Sequence, residues 1–282
     1  VNCSFLEKEK TMTKEDFIGI GQRAGTFDQS GLTFLTFEDL QDYEILQDSP
    51  KGILLKGFNS FQKKNELVFA CNDETEFLKM TSSYSGYMVQ FVSPAWKEDL
   101  RRRGFKVLGD MRDYWIQDLS GYSGNRTLDF GEEKEAEQIS GVTRDCAEES
   151  REFAGESPKF ILAWLQGSEP NLLEAQARSS QVLVKRVDGK IVGVALVAVY
   201  GVKAPKGAIC WLRELAVLRR YQHQGFGRSL VLDALAYGKS LQAKRAFLSA
   251  DEENLSARHL YLSCGFLPKE DEEQLDLITP IF

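Results

Sequence analysis

The stretch "RELAVLRRYQHQGFGRSLVLDAL" (213–235) decides the reading of this chain. An apolar strand-like segment gives way to a polar turn holding Gly225 and Gly227, and an apolar helix-like segment follows at once. A strand that ends in a glycine turn and opens a helix bares several backbone N–H groups pointing one way. The helix dipole adds partial positive charge there. Gly225 and Gly227 remove side chains that would block close approach, and Arg219, Arg220 and Arg228 add cations. This is a design for holding a pyrophosphate. The plainer alternative is a tight strand–helix connection whose glycines only meet a backbone requirement. A P-loop is excluded, because GxxxxGK[ST] is absent. A dinucleotide fingerprint is excluded too, because the third small position holds Leu230.

Around this stretch the second half reads as helix, helix, three strands, the glycine turn, helix, strand, helix, strand. "EEKEAEQISGVTRDCAEESREF" (132–153) suggests a long polar helix, and "SPKFILAWLQG" (157–167) a second one opened by Ser157–Pro158. In "QVLVKRVDGKIVGVALVAVYG" (181–201) the Asp188–Gly189 pair marks a hairpin. The strand "AICWLRELAVL" (208–218) leads into the glycine turn. The helix "RSLVLDALAYGKSLQ", the strand "RAFLSA", the helix "NLSARHLYLSCGF" stopped by Gly265, and the strand "QLDLITPIF" complete the half. The acidic "KEDEEQ" (269–274) reads as a solvated hairpin. The expected fold class is α/β, a mixed sheet with helices on both faces.

These features resemble the GNAT superfamily, the acyl-CoA-dependent N-acetyltransferases. Gln222, Gly225 and Gly227 fit its Gln/Arg-x-x-Gly-x-Gly/Ala signature, with "LRELAV" in the place of the preceding strand. Some thirty residues on, Asn254, Ala257, Tyr261, Gly265 and Phe266 fit the family's Asn-x-x-Ala-x-x-x-Tyr-x-x-x-Gly-Phe segment. The resemblance covers about residues 130–282 and implies a splayed mixed sheet. It implies acetyl-CoA as co-substrate and no metal. The pyrophosphate would lie on amides of Gln222 through Ser229, chiefly Gln224, Gly225, Phe226, Gly227 and Arg228. The pantetheine arm would pair with the strand edge at Leu215, Ala216 and Val217, and Asn254 would contact it. Tyr261 would protonate the leaving sulfur, a role that suits a phenol of pKa ~10. Otherwise it is a packed helix tyrosine. Glu214 is the candidate base. A carboxylate within an apolar strand is costly without a task or a partner, and the competing accounts are a structural ion pair with Arg213 or a neighbouring strand and a carboxylate that binds substrate. His223 reads as exposed or near phosphate, and His259 as facing away from Tyr261 on its helix.

The first half carries no second phosphate signature; "GQRAGTF" (21–27) lacks the second glycine and follows a helix-like segment. A helix with Thr13 as N-cap is expected over 13–25, a strand over "LTFLTF" (32–37) and a helix over "FEDLQDYEILQD" (37–48). Strands follow at "GILLKGF" (52–58) and "ELVFAC" (66–71), then a helix over 73–85 and a strand over 86–93. "WKEDLRRRGFKVLGDMRDYWIQDL" (96–119) repeats the form helix, Gly-Phe, terminal strand. The half is therefore a degenerate GNAT-like domain or an unrelated α+β domain that shapes the acceptor site. The Gly- and Ser-rich "LSGYSGNRTLDFG" (119–131) suggests domains of 1–122 and 123–282.

The totals set outer bounds. The chain has 282 residues, 43% of them hydrophobic, and a net charge of −7. That suffices for two cores and argues against a general nucleic-acid binder. The cysteines Cys3, Cys71, Cys146, Cys210 and Cys264 form no CxxC pair, which favours free thiols over a structural metal. No secretory leader is evident in "VNCSFLEKEK", and "IVGVALVAVYGV" (191–202) is short of the ~20 residues a bilayer span needs. A cytoplasmic protein without membrane or nucleic-acid partners is expected. The acceptor would be a small-molecule or peptide amine, and the acidic balance suits a cationic one. Two other functions fit the sequence: a CoA-binding regulatory or sensing protein without turnover, and a nucleotide-binding α/β protein.

Overall fold

A computed structural model describes residues 12–60, 62–147, 151 and 153–282. Cys3 and the opening "VNCSFLEKEK" lie outside the described residues. In chain order the elements are α1 (Lys14–Ala24), β1 (Gln29–Ser30), α2 (Phe37–Leu40), β2 (Glu44–Ser49), β3 (Gly52–Asn59), β4 (Lys64–Cys71), α3 (Glu74–Thr81), β5 (Met88–Val92), α4 (Lys97–Arg102) and β6 (Lys106–Ile116). Then come α5 (Ala136–Asp145), α6 (Pro158–Leu165), α7 (Pro170–Glu174), β7 (Ser179–Val187), β8 (Lys190–Tyr200), β9 (Ile209–Val217), α8 (Phe226–Ser240), β10 (Arg245–Asp251), α9 (Leu255–Ser263) and β11 (Leu267–Ile278).

The chain forms two compact units. The second is Met111–Glu273; the first runs to Asp110 and takes back Gln274–Phe282 from the far end of the sequence. The units thus part within β6 and within β11, and the Gly/Ser-rich stretch 119–131 lies inside the second unit. That stretch is not a free linker. Val184 donates its N–H to Asp129 at 2.9 Å and Gly131 donates to Val182 at 2.8 Å, so the stretch covers the outer edge of β7.

In the second unit the strands lie in the order β6 (from Met111), β10, β9, β8, β7. β9 and β10 are parallel and the other pairs antiparallel. β8 is buried on both faces, which explains its unbroken apolar run. One face carries α5 and α6, with Ile139, Val142, Ile161 and Trp164 packed on Val194, Leu196 and Ala216. The other carries α8 and α9, with Leu230, Ala234, Leu235 and Tyr261 on Ala195, Val197 and Leu212. Asp188 and Gly189 turn the β7–β8 hairpin with φ of 49° and 74°, as a two-residue type I′ turn requires. The polar helix expected over 132–153 is shorter: α5 ends at Asp145. The short α7, with Pro170 in its first turn and capped by the Glu169 side chain, was not expected.

In the first unit the order is β2, β3, β4, β5, then the end of β11, with β4 and β5 parallel and the other pairs antiparallel. This is the order and sense of the second unit's sheet. α3 and α4 follow β4 and β5 as α8 and α9 follow β9 and β10. In each unit the last strand comes from the other half of the chain. Three sequence expectations are corrected here. Residues 32–34 form a 3₁₀ turn instead of a strand, because Thr36 and Asp39 close a capping box that starts α2. The helix expected over 37–48 stops at Leu40, and Glu44–Ser49 pairs with β3 instead, a tertiary pairing that overrides local preference. "KEDEEQ" is no hairpin; it runs through β11.

Candidate functional site

The site begins with a parting of two strands. β9 and β10 pair only from Ile209–Arg245 to Trp211–Phe247, although β9 continues to Val217 and β10 to Asp251. On its other side β9 stays paired with β8, but the register shifts: Leu196 faces Glu214 and Val197 faces Leu212. Arg213 is thus the extra residue of a β-bulge, which bends the strand. Beyond the bulge, the edge facing β10 has no strand partner.

The strand ends in a 3₁₀ turn, Arg219–Tyr221, and then the glycine turn. His223 has φ 58° and Gly225 φ 86°. Gly225 is the N-cap of α8 and no side chain caps this helix. Among the described residues, the N–H groups of His223 through Arg228 donate to no protein acceptor. A Cβ on Gly227 would come within 3.2 Å of the Leu260 side chain. A cavity of about 340 Å³ opens here, lined by Leu215, Val217, Gln222, Gly225, Gly227, Arg228, Asn254 and Tyr261 among others. Convergent bare amides at an uncapped, positively polarised helix end suit an anion such as a diphosphate.

Side chains around the turn hold it in shape. Gln222 Nε2 donates to the Val217 carbonyl at 3.1 Å, and Gln224 Nε2 to that of Arg220 at 3.1 Å. Arg228 Nη1 donates to the carbonyl and hydroxyl oxygens of Ser263, both at 2.9 Å, tying α8 to the end of α9. Of the expected binding residues, Ala216, Gln224, Phe226 and Ser229 do not line the cavity. Ala216 faces the opposite side of the sheet, in the α5–α6 core, as strand alternation dictates. Phe226 packs edge-on to Tyr221, and Ser229 accepts a hydrogen bond from Arg126 at 3.3 Å. The side chains of Gln224 and Phe226 thus brace the turn and do not face the cavity.

A second cavity of about 270 Å³ shares Leu215, Asn254, Ala257 and Tyr261 with the first. Its charged lining is Arg151, Arg213, Glu214 and Asp251. The Glu214 side chain is 14% exposed and lies 3.9 Å from Arg213 Nη1. Burial pushes its carboxyl up to about 8; Arg213 opposes the shift and Glu156 adds to it. Tyr261 is 8% exposed. Burial raises its phenol well above the usual range, and the charge of Glu214 acts in the same direction. Among the described residues nothing is hydrogen-bonded to its hydroxyl. Asn254 caps α9, its Oδ1 accepting the Ala257 N–H at 3.0 Å. Arg213 donates to Glu156 at 2.7 Å and lies over the Phe160 ring. Arg151 makes a two-pronged pair with the buried Asp251, at 2.9 and 2.6 Å.

The structure therefore brings Glu214, Leu215, Val217, Gln222, Gly225, Gly227, Arg228, Asn254 and Tyr261 to two adjoining cavities. His223 also lines the first, whereas His259 is exposed. Sequence reasoning missed Ser256 and Leu260, whose helical spacing beside Ala257 and Tyr261 was a usable signal. It also missed Arg151, Phe153 and Asp251, which no local pattern marks. The cysteines Cys71, Cys146, Cys210 and Cys264 are buried thiols outside any disulfide. Among the described residues no helix is long and apolar enough to cross a membrane.

Residues 145–266 match the model of the Acetyltransferase (GNAT) family. Among solved structures, a GCN5-related N-acetyltransferase from Sphaerobacter thermophilus is similar at 14% identity and a TM-score of 0.56, over 97% of this chain and 96% of that one. A conserved protein of unknown function from Staphylococcus epidermidis ATCC 12228 is similar at 17% identity and a TM-score of 0.52, over 89% of this chain and all of its own. These likenesses are of fold. No curated protein matches the chain in sequence.

Proposed function

Because residues 145–266 match the model of the Acetyltransferase (GNAT) family, we propose that the chain is an acyl-CoA-dependent N-acyltransferase, with acetyl-CoA the donor and a small primary amine the acceptor. The observation that carries this reading is the row of bare amides at the start of α8, continuous with the free edge of β9 and ending beside Tyr261. The amides of His223 to Arg228 hold the diphosphate. The pantetheine arm lies along Leu215 to Val217, which brings the thioester to the residues the two cavities share.

The acceptor enters through the second cavity. Its nitrogen attacks the thioester carbonyl, the C–N bond forms, and the C–S bond breaks as the tetrahedral adduct collapses. The departing thiolate takes a proton from Tyr261, whose raised pKa keeps it protonated before transfer. The amine's proton passes to Glu214 in its ionised form. The bidentate Arg151–Asp251 pair fixes one wall of the cavity. Domains follow the same reading: residues 123–282 hold the transferase module and 1–122 an accessory module, the two trading their last strands.

A thiol-release assay with acetyl-CoA and pooled primary amines tests this. Turnover with at least one pool, lost in Tyr261→Phe, is the expected result. Coenzyme A binding without turnover on any pool would favour a regulatory or sensing role instead.

A further inference from the structure

The first unit repeats the sheet of the second, including the parting of its parallel strands. β4 and β5 pair only at Glu66–Met88 and Leu67–Val89, while the strands run on to Cys71 and Val92. A bulge in β5 accompanies the parting. Its register against β11 shifts between Val92 and Val89, and the buried Asp276 carboxylate accepts the Phe91 N–H at 3.0 Å. We infer that the cleft so opened is a seat for a peptide segment, and that the chain fills it with its own residues 29–34, the two-residue strand β1 and the 3₁₀ turn after it. The first unit therefore takes no acyl-CoA. This assignment stands on the geometry of the first unit and borrows from the proposed function only the identity of the excluded ligand.

Three observations carry it. The first is the filling itself. β1 pairs antiparallel with the freed end of β4, Gln29 opposite Cys71 and Ser30 opposite Ala70. Gly31 then donates its N–H to the Phe69 carbonyl at 3.0 Å. On the other side, a Cβ on Gly31 would sit 3.2 Å from the Gln90 carbonyl oxygen, so the segment bridges both parted strands. The Asp28 N–H is held by Asn72 at 3.1 Å, Leu32 is buried, and Phe34 stacks on Phe91 with ring centroids 4.3 Å apart. In the second unit the corresponding edge of β9 borders an open cavity.

The second observation is the helix start. α3 follows β4 after only Asn72 and Asp73. Asp73 caps the helix, its Oδ1 accepting the Glu76 N–H at 2.9 Å, and Glu74 and Glu76 occupy the first turn. A diphosphate would meet a filled cap and three carboxylates, where α8 offers an empty cap and glycine. The third lies in the following helix. Four residues before the Gly-Phe pair stands Tyr261 in the second unit but Leu100 in the first, fully buried and without a proton to give. The cleft thus lacks the anion seat and the phenol, and its strand edge is occupied.

Hydrogen exchange on the full chain, with and without millimolar acetyl-CoA, tests this. In the free protein the Gly31 amide is expected to exchange on the order of a hundredfold more slowly than exposed loop amides. Acetyl-CoA should leave residues 29–34 and 66–76 unchanged. Gly31→Val should speed exchange at Phe69–Cys71. Should that variant fail to fold, Phe34→Ala, which removes an exposed ring, should speed exchange at Gly31 several-fold. Rapid exchange at Gly31 in the wild type, or slowing at 66–76 with release of 29–34 on adding acetyl-CoA, would overturn the assignment. If acetyl-CoA protects no segment at all, the proposed function fails, and Gly31 in the free protein still decides this question.

Discussion

Glu214 accepts the N–H of its own neighbour Leu215 at 3.0 Å, folding its carboxylate onto the strand edge that borders both cavities. The same carboxylate sits beside Arg213 and is pushed up to about 8 by burial. The proposed base and the strand edge are thus one local unit, set by the bulge at Arg213.

A pH dependence follows. Glu214 is largely protonated at neutral pH, so turnover should climb as pH rises through about 8. Glu214→Gln should flatten that limb in a pH–rate profile. If the limb survives unchanged, Glu214 is not the base. Stability should run the other way. From the ordinary value of 4.5 up to about 8 the folded chain binds more protons than the unfolded chain at this site. Stability therefore falls with rising pH across that window, and the fall should be smaller in Glu214→Gln when melting temperatures at pH 5 and pH 8.5 are compared.

Tyr261→Phe keeps the ring that packs edge-on to Phe266, with centroids 6.2 Å apart, and removes only the hydroxyl. Turnover should drop by roughly 10²-fold or more, the size of a general-acid contribution, with KM for acetyl-CoA little altered. An unchanged kcat would reassign Tyr261 to packing.

The two glycines of the turn should fail in different ways. Gly225→Ala meets no atom within 4 Å but must hold φ 86°, so it should lose about 1–2 kcal/mol of stability. Gly227→Val strikes Leu260 and should raise the Kd for coenzyme A about tenfold or more, read by calorimetry. Equal Kd values for Gly227→Val and wild type would mean that the cofactor does not approach this turn.

Asp251→Ala strips the buried partner from Arg151. Arg151 keeps Glu253 at 3.1 Å, so the loss should be roughly 2 kcal/mol, the size of a lost charge-assisted hydrogen bond. KM for the acceptor should rise while the Kd for coenzyme A holds, a split that assigns Arg151 to the acceptor wall.

Much of the candidate site's layout was legible because its spacing is local. Gly225 and Gly227 stand at a strand–helix junction, and Tyr261 and Gly265 hold fixed helical spacing, so short-range pattern suffices for them. Arg151, Phe153 and Asp251 converge from segments a hundred residues apart, and no window contains the reason for their meeting. The same holds for the fold. The Asp188–Gly189 hairpin is written in two residues. The assignment of 37–48 to a helix failed at Glu44, where pairing with Lys56 outweighed local preference. The return of Leu275–Ile278 to the first unit depends on partners nearly two hundred positions away.

That traded strand bears on synthesis. When the ribosome has emitted the residues through Asp110, β5 still lacks its neighbour, which is made only after the whole of Met111–Glu273. The N-terminal half must wait with a bare β-edge through translation of everything between. The second unit, Met111–Glu273, is one unbroken stretch, whereas the first cannot be cut out without the strand that returns to it.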